Sequence, residues 1–347
     1  MKDNHSNRKA LYGFLILLLV ICFLANVSLG SVYISLSQIL IILSGGSGEK
    51  VVWENIIFNF RLPKAITAII VGAGLSLSGL QMQTLFRNPL AGPFVLGISS
   101  GASLGVALLV MAGFNISFMF LDLNFLGNWL IVLAATLGAS LVLILVVLIS
   151  LRVKDSMALL IIGLMFGSAT GALVGVLQFF SDARQIQAYL IWTFGNLGGM
   201  NWSELWVFIP AVFLGVIITF VLIKHMNALL LGENYARSMG LKMNKVRIWI
   251  ILSTSLIAGT ITAFCGPIAF VGIAVPHLAR MLFNSADHKI LLPATLLIGA
   301  ILMLVCDSIA QMPGSDYTLP INAITSLLGA PLVIWLIIKK RNLRSSF

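Results

Sequence analysis

Few residues in this chain have the types and spacing that covalent chemistry needs. Cys265 and His277 come nearest to a nucleophile and its base, and they stand twelve residues apart across the Gly266-Pro267 break. That is a poor constellation for an intramembrane protease. His277 reads either as a ligand or proton carrier or, in the reading favoured here, as a side chain that satisfies backbone groups near the Pro276 break. Cys22, Cys265 and Cys306 lie in or at the ends of apolar segments and form neither a metal-ligand spacing nor a disulfide framework. GGSGEK at 45–50 has the look of a phosphate loop, but Glu49 separates Gly48 from Lys50 and no Ser or Thr follows the lysine, so a flexible turn is expected. The acidic residues Asp3, Glu49, Glu54, Asp122, Asp155, Asp182, Glu204, Glu233, Asp287, Asp307 and Asp316 map to loops or span ends. A carrier driven by protons or sodium usually holds such groups at mid-membrane, so this placement counts against one. No catalytic residue and no metal ligand is expected.

The stretch that stands out is 224–247, KHMNALLLGENYARSMGLKMNKVR. It has its own helical pattern, with Leu229, Leu230 and Leu231, then Ala236, Met239 and Leu241, and with Glu233 and Arg237 four apart as a favourable pair. Gly232 and Gly240 offer bends at either end of 233–239. Two readings stand: a solvated loop with an i,i+4 ion pair, or a short helix lying across the membrane face as a handle for something outside the bilayer.

Membrane spans must position these residues. The 347 residues are 59% hydrophobic and 9% charged, with a mean hydropathy of +1.06, which excludes a soluble protein. Ten spans are expected at roughly 11–30, 63–86, 93–113, 129–150, 157–180, 204–223, 246–265, 268–283, 289–309 and 318–338. The N-terminal apolar run is too long for a signal peptide and reads as a retained first helix. With the N-terminus inside, ten spans put the C-terminus inside as well. On this frame seventeen of the 21 Lys and Arg are cytoplasmic, Arg87, Lys154, Arg247, Lys340, Arg341 and Arg344 among them. Only Lys50, Arg61, Lys64 and Arg184 fall outside, so the net charge of +10 follows the positive-inside pattern and does not point to nucleic acid.

Several elements admit two readings. SVYISLSQILIILS, from 31, is apolar but too short to span, and lies at the interface or packs on the bundle. Asn88-Pro89 and Gly92-Pro93 break the chain after span two, as a tight hairpin or as a re-entrant element beside a translocation path. Gly163, Gly167, Gly171 and Gly175 recur every fourth residue of span five, with Ser168 and Thr170 nearby. Such a stripe packs closely on a neighbour, lines a wide pore, or does both on different edges. In the external segment 181–203, Tyr189, Trp192 and Trp202 fit an interfacial aromatic belt. Spans within 61–180 and 246–338, four in each, begin on opposite faces, which is inverted-repeat geometry.

RLPKAITAIIVGAGLSLSGLQMQTLFRNPLAGPFVLGISSGASLG, LGENYARSMGL, GPIAFVGIAVPHLAR, ADHKILLP and LPINAITSLLGAPLVIWLI occur in that order. Together they resemble the permeases of ABC importers for iron–siderophore, haem and vitamin B12, the FecCD family, over about residues 10–340. The resemblance implies an all-α integral membrane protein of about ten transmembrane helices, BtuC-like with inverted four-helix repeats and both termini cytoplasmic, forming a single transmembrane domain over 1–347. It implies that 224–247 docks on a cytoplasmic ATPase, with Leu231, Gly232, Glu233, Ala236, Arg237, Gly240 and Leu241 as the coupling core. It places Arg61 and Lys64, three apart at the start of span two, against acidic residues of an extracytoplasmic binding protein, where the alternative is interfacial anchoring. It makes Gly163, Gly167, Ser168, Thr170 and Gly171 the pore-lining candidates. Some relatives carry a further basic residue in the last external loop; here Asp316 lies there, which tilts the expected subunit pair toward two related chains rather than two identical ones.

The expected function is therefore the permease subunit of an ATP-driven importer in a bacterial cytoplasmic membrane, working by alternating access. Its cargo is expected to be an iron chelate, foremost a ferric siderophore, with haem and cobalamin open. The chain has no G-x-x-x-x-G-K-[ST] stretch, so ATP is expected to be used by a separate ATPase dimer, with no cofactor bound here.

Overall fold

A computed structural model describes residues 2–30, 32–112, 124–153, 155–314 and 317–339, in which the regular structure is helical. Asp122, Lys154, Asp316, Lys340, Arg341 and Arg344 lie outside the described residues. In chain order the helices are α1 (Lys2–Ser28), α2 (Leu36–Leu43), α3 (Val51–Ile56), α4 (Leu62–Leu85) and α5 (Ile98–Met111). Next come α6 (Asn124–Arg152), α7 (Ser156–Phe179), α8 (Ala183–Thr193), α9 (Trp202–Val221) and α10 (Ile223–Leu230). They are followed by α11 (Glu233–Ser238), α12 (Met243–Cys265), α13 (Val271–Phe283), α14 (His288–Ala310) and α15 (Ile321–Lys339). Among the described residues seven helices are long and apolar enough to cross a membrane, those of α1, α4, α6, α7, α9, α12 and α14. The shorter apolar helices α5, α13 and α15 take the remaining three expected positions.

By packing, the chain falls into two units. One comprises Met1–Leu77, Asn196–Pro210 and Ala269–Ser346; the other comprises Ser78–Gly195 and Ala211–Ile268. They cut across the two expected four-span stretches, because packing groups neighbours in space whereas the repeat groups spans by order and direction.

In the first unit α1 packs on α14, and α13, α14 and α15 pack together. The α4–α14 crossing is backbone to backbone: a Cβ on Gly72 would stand 2.1 Å from the Gly299 carbonyl oxygen. In the second unit α5 lies against α6 and α7, and α12 against α6. Gln81 donates to Thr219 Oγ1 at 2.9 Å and Ser253 Oγ at 3.0 Å and accepts from Thr254 Oγ1 at 2.8 Å. All four side chains are fully buried. Such a clasp holds α4, α9 and α12 together where apolar burial gives no drive between helices.

Two breaks resolve as half-length helices. α5 has 14 residues and α13 has 13, about 20 Å each at 1.5 Å per residue, against a hydrocarbon core of about 30 Å. α5 is entered through a 3-10 turn, Pro93–Leu96, and Gly97 at φ +74°. α13 is entered through 266–270, with Gly266 at φ +75° and Phe270 at φ +66°, and the Ala269 N–H donates to Asn322 Oδ1 at 3.1 Å. Non-helical backbone at this depth survives because protein satisfies it.

Two expectations need correction. Span two does not begin at 63: helix runs without interruption from Val51 through a π-turn, Ile57–Arg61, to Leu85. Pro63 has no N–H and crowds the preceding turn, and the widened π-turn accommodates its ring. Arg61 and Lys64 therefore lie inside a helix and not at its start. Tyr189 is not a belt residue. It is 6% exposed and hydrogen-bonds Ser103, because α8 packs on α5. Trp202 keeps the belt form, exposed and with Nε1 donating to the Phe58 carbonyl at 2.8 Å. Within SVYISLSQILIILS, Leu36–Leu43 form α2, which buries Ile39 and Ile42.

Candidate functional site

The 224–247 segment folds as two short helices, α10 and α11, with a bend between them, and then enters the first turns of α12. α10 buries Met226 and Leu229. Gly232, at φ +104°, turns the chain into α11, whose Ala236 is fully buried. α11 ends as a Schellman motif: the Gly240 N–H donates to the Arg237 carbonyl at 2.9 Å and the Leu241 N–H to the Ala236 carbonyl at 3.2 Å. Gly240 sits at φ +84°, where a side chain is strained. On the outward side Leu231, Tyr235 and Met239 are 62%, 54% and 49% exposed.

The Glu233–Arg237 pair read from the sequence is present but long, at 3.9 Å. The stronger partner is one that sequence reasoning missed. Arg247 Nη2 lies 3.1 Å from Glu233 Oε1, and Arg247 Nη1 donates to the Val153 carbonyl at 2.9 Å. The Arg247 side chain is 1% exposed. It ties α11 to the first turns of α12 and to the end of α6. The signal in the sequence was a cation one turn inside an apolar span, which needs a partner there.

Beside α11 is a cleft of about 720 Å³, lined by 85–87 at the end of α4, Asp155 and Met157 at the start of α7, and 231–235. Asp155 caps α7, accepting from the Met157 and Ala158 N–H groups at 3.1 and 3.3 Å. α4 closes with the same motif as α11: the Arg87 N–H donates to Thr84 O and the Asn88 N–H to Gln83 O. Here, however, an arginine at φ +46° holds the position that glycine holds in α11. A left-handed conformation costs an L-residue about 1–2 kcal/mol.

On the external side, Arg61 and Lys64 are engaged within their own unit. Arg61 Nη1 donates to the carbonyls of Val27 and Ser28 at 2.7 and 3.0 Å, and Nη2 donates to Val32 O. It thus satisfies the carbonyls that α1 leaves open at its C-terminus. Lys64 Nζ is 3.2 Å from Asp307 Oδ1. Asp307 Oδ2 accepts from Asn26 at 2.9 Å and from Gln311 at 2.7 Å, joining α1, α4 and α14. Asp307 is 3% exposed and Lys64 21%, so Lys64→Met strands a buried carboxylate. It is expected to destabilise the protein by about 3–5 kcal/mol, more than Asp307→Asn does. Thermal melts in detergent check the order.

The glycine stripe of α7 splits. A Cβ on Gly163 would stand 2.2 Å from the Val95 carbonyl oxygen, and one on Gly167 would lie 3.4 Å from Ser100 Oγ. Gly171 and Gly175 have nothing within 4 Å. Thr170 is buried and bonds back to the Phe166 carbonyl at 2.8 Å, while Ser168 is exposed. Close packing therefore claims Gly163, Gly167 faces α5 with room for a Cβ, and Ser168 and Gly171 lie on an open face.

The sequence pattern of the FecCD transport family matches residues 18–339. The hemin transport system permease protein HmuU of Yersinia pestis is 34% identical over 338 residues, 97% of this chain and 98% of that protein. The vitamin B12 import system permease protein BtuC of Klebsiella pneumoniae is 33% identical over 341 residues, 98% and 96% of the two chains. The molybdate import system permease protein MolB of Haemophilus influenzae is 35% identical over 330 residues, 93% and 94%. Among solved structures, one assigned to the metal-chelate type of ABC transporter, in an inward-facing conformation, superposes with a TM-score of 0.83 at 33% identity. It covers 95% of this chain and 99% of its own.

Proposed function

We propose, because the chain belongs to the FecCD transport family, that it is the membrane subunit of an ATP-driven importer whose cargo is a metal chelate. Its own residues make no covalent bond to the cargo. They provide a path, a hinge and a handle. ATP is hydrolysed by a separate cytoplasmic ATPase dimer, an extracytoplasmic binding protein delivers the chelate, and a second permease subunit completes the path. Ferric siderophore is the cargo we put forward. Haem and cobalamin are the next candidates, since relatives at 34% and 33% identity are named for hemin and vitamin B12.

The observation that carries the mechanism is the joint of Glu233, Arg247 and the Val153 carbonyl. A handle helix must move its spans and not merely flex against them. A charge-assisted contact with a buried guanidinium makes α11 and the start of α12 move together. When ATP binding closes the ATPase pair, α11 follows its groove, and the spans change which side is open. Ser168 and Gly171, on the open face of α7, line the path. Arg61 and Lys64 brace α1, α4 and α14 beneath the docked binding protein.

The test is co-purification of the full chain from gently solubilised membranes, followed by uptake in proteoliposomes. The native chain is expected to retain an ATPase. Gly240→Pro, whose ring cannot reach φ +84°, is expected to lose most of it. Uptake is then measured for ferric hydroxamate, ferric catecholate, haemin, cyanocobalamin and molybdate with the co-purified binding protein. Uptake of a ferric siderophore alone supports the cargo proposed, and uptake of haemin or cobalamin replaces it. Retention of no ATPase by the native chain overturns the importer reading.

A further inference from the structure

The cleft beside α11 is built from three separate stretches of chain, and its charged side chains are unequally satisfied. Its two acids are committed: Asp155 caps α7, and Glu233 holds Arg247 and Arg237. Its cation is not. Among the described residues the Arg87 side chain makes no hydrogen bond or ion pair; it is exposed, and its guanidinium rests against Gly232, where a Cβ would lie 3.5 Å from Nη1. Around it Leu231, Met157 and Tyr235 are each more than half exposed. Large apolar side chains grouped about an uncommitted cation, on the aqueous side of a membrane protein, mark a contact surface. The backbone agrees. Arg87 occupies the helix-ending position that glycine fills in α11, and holds a left-handed conformation there. Local structure favours glycine at that position, and strain of this kind is a pointer to function.

We propose that this cleft is a second, acid-receiving half of the ATPase-docking surface. A segment of the ATPase enters it with a carboxylate on Arg87 and an apolar side chain against Leu231, Met157 and Tyr235. This rests on the reading of 224–247 as the ATPase handle and extends it. The ATPase grips the ends of α4 and α7 directly, as well as α11. The occupant carries a carboxylate because, among the described lining residues, the Arg87 guanidinium is the charged group whose hydrogen-bonding atoms have no partner, whereas Asp155 and Glu233 both accept hydrogen bonds.

The test uses the full chain co-expressed with the ATPase identified by co-purification, and measures the retained ATPase as a function of salt. Arg87→Gly removes the charge and relieves the backbone strain, so its melting temperature is expected to equal or exceed the native one. Its ATPase affinity is expected to fall about tenfold, equivalent to 1.4 kcal/mol. Arg87→Lys should keep part of the affinity, Arg87→Glu the least, and the salt dependence of the native complex should flatten in Arg87→Gly. Native affinity in Arg87→Gly, with ATPase lost in Gly240→Pro, overturns this proposal alone and leaves the handle standing. No ATPase on the native chain overturns both. An effect of Arg87→Gly seen in phosphatidylglycerol nanodiscs and absent in phosphatidylcholine nanodiscs assigns Arg87 to a lipid phosphate and overturns the proposal.

Discussion

Glu233→Ala is expected to destabilise the protein more than Arg247→Met, and the double replacement less than Glu233→Ala alone. Arg247 is 1% exposed and Glu233 25%. Truncating the acid leaves a buried guanidinium without its carboxylate, a loss of about 3–5 kcal/mol. Truncating the cation leaves a carboxylate with part of its surface in water and Arg237 at 3.9 Å, so its cost is smaller. Methionine fills much of the arginine's volume without its charge, and apolar replacement of a buried ion pair is often near neutral. The double variant therefore recovers stability that the single acid variant loses. A double-mutant cycle of detergent melts should give a coupling energy of about 2 kcal/mol. Uptake should not follow stability. All three variants free α11 from α12, so all three should lose uptake by more than tenfold, including Arg247→Met, the more stable of the single variants. A coupling energy near zero, or uptake that tracks melting temperature alone, would falsify the lever.

How much of this was legible in the sequence depended on the range of the interaction. Apolar spans are local in composition, and the expected spans agree with the observed helices to within about five residues, the starts of α1 and α4 excepted. Gly232 and Gly240 were legible because a bend at a helix end is local as well. The Glu233–Arg237 pair, four apart, was read correctly, yet it is the weaker of two. Arg247, fourteen residues from Glu233, faces it only because α11 folds back on α12. Lys64 and Asp307 lie on helices far apart in the chain, so a cation that reads as outward-facing turns inward to a buried acid. The unbroken helix from Val51 was hidden because a proline near the start of an apolar run usually marks a helix's first turn. Arg87 gave no signal, since nothing in FRNP says that the arginine adopts a glycine's backbone conformation.

The glycines of α7 divide into those that must be small to fold and those that are free to be large. A Cβ on Gly163 would meet the Val95 carbonyl oxygen at 2.2 Å, and the backbone there is fixed by the turn into α5. Gly163→Val is therefore expected to separate α7 from 93–97 and to abolish well-folded protein, read as loss of the monodisperse species after solubilisation. Overpacking at a contact between backbones has no flexible side chain to yield. Gly171 is one more helical face along, and nothing lies within 4 Å of its Cβ position. Gly171→Leu should melt at the native temperature and retain the ATPase, and its extra helix propensity is slightly stabilising. If the open face of α7 lines the path, a leucine there narrows the passage for a chelate, and uptake should fall more than tenfold with ATPase association intact. Ser168→Leu, on the same face and one turn earlier, should behave alike, and Gly175→Leu, one turn later, should show whether the effect continues along the helix. Normal uptake in both Gly171→Leu and Ser168→Leu would give that face to lipid or to the second subunit, and the path would then have to be sought on another helix. The small residues of α7 share a spacing but not a role, and what lies opposite each of them decides which variant costs folding and which costs transport.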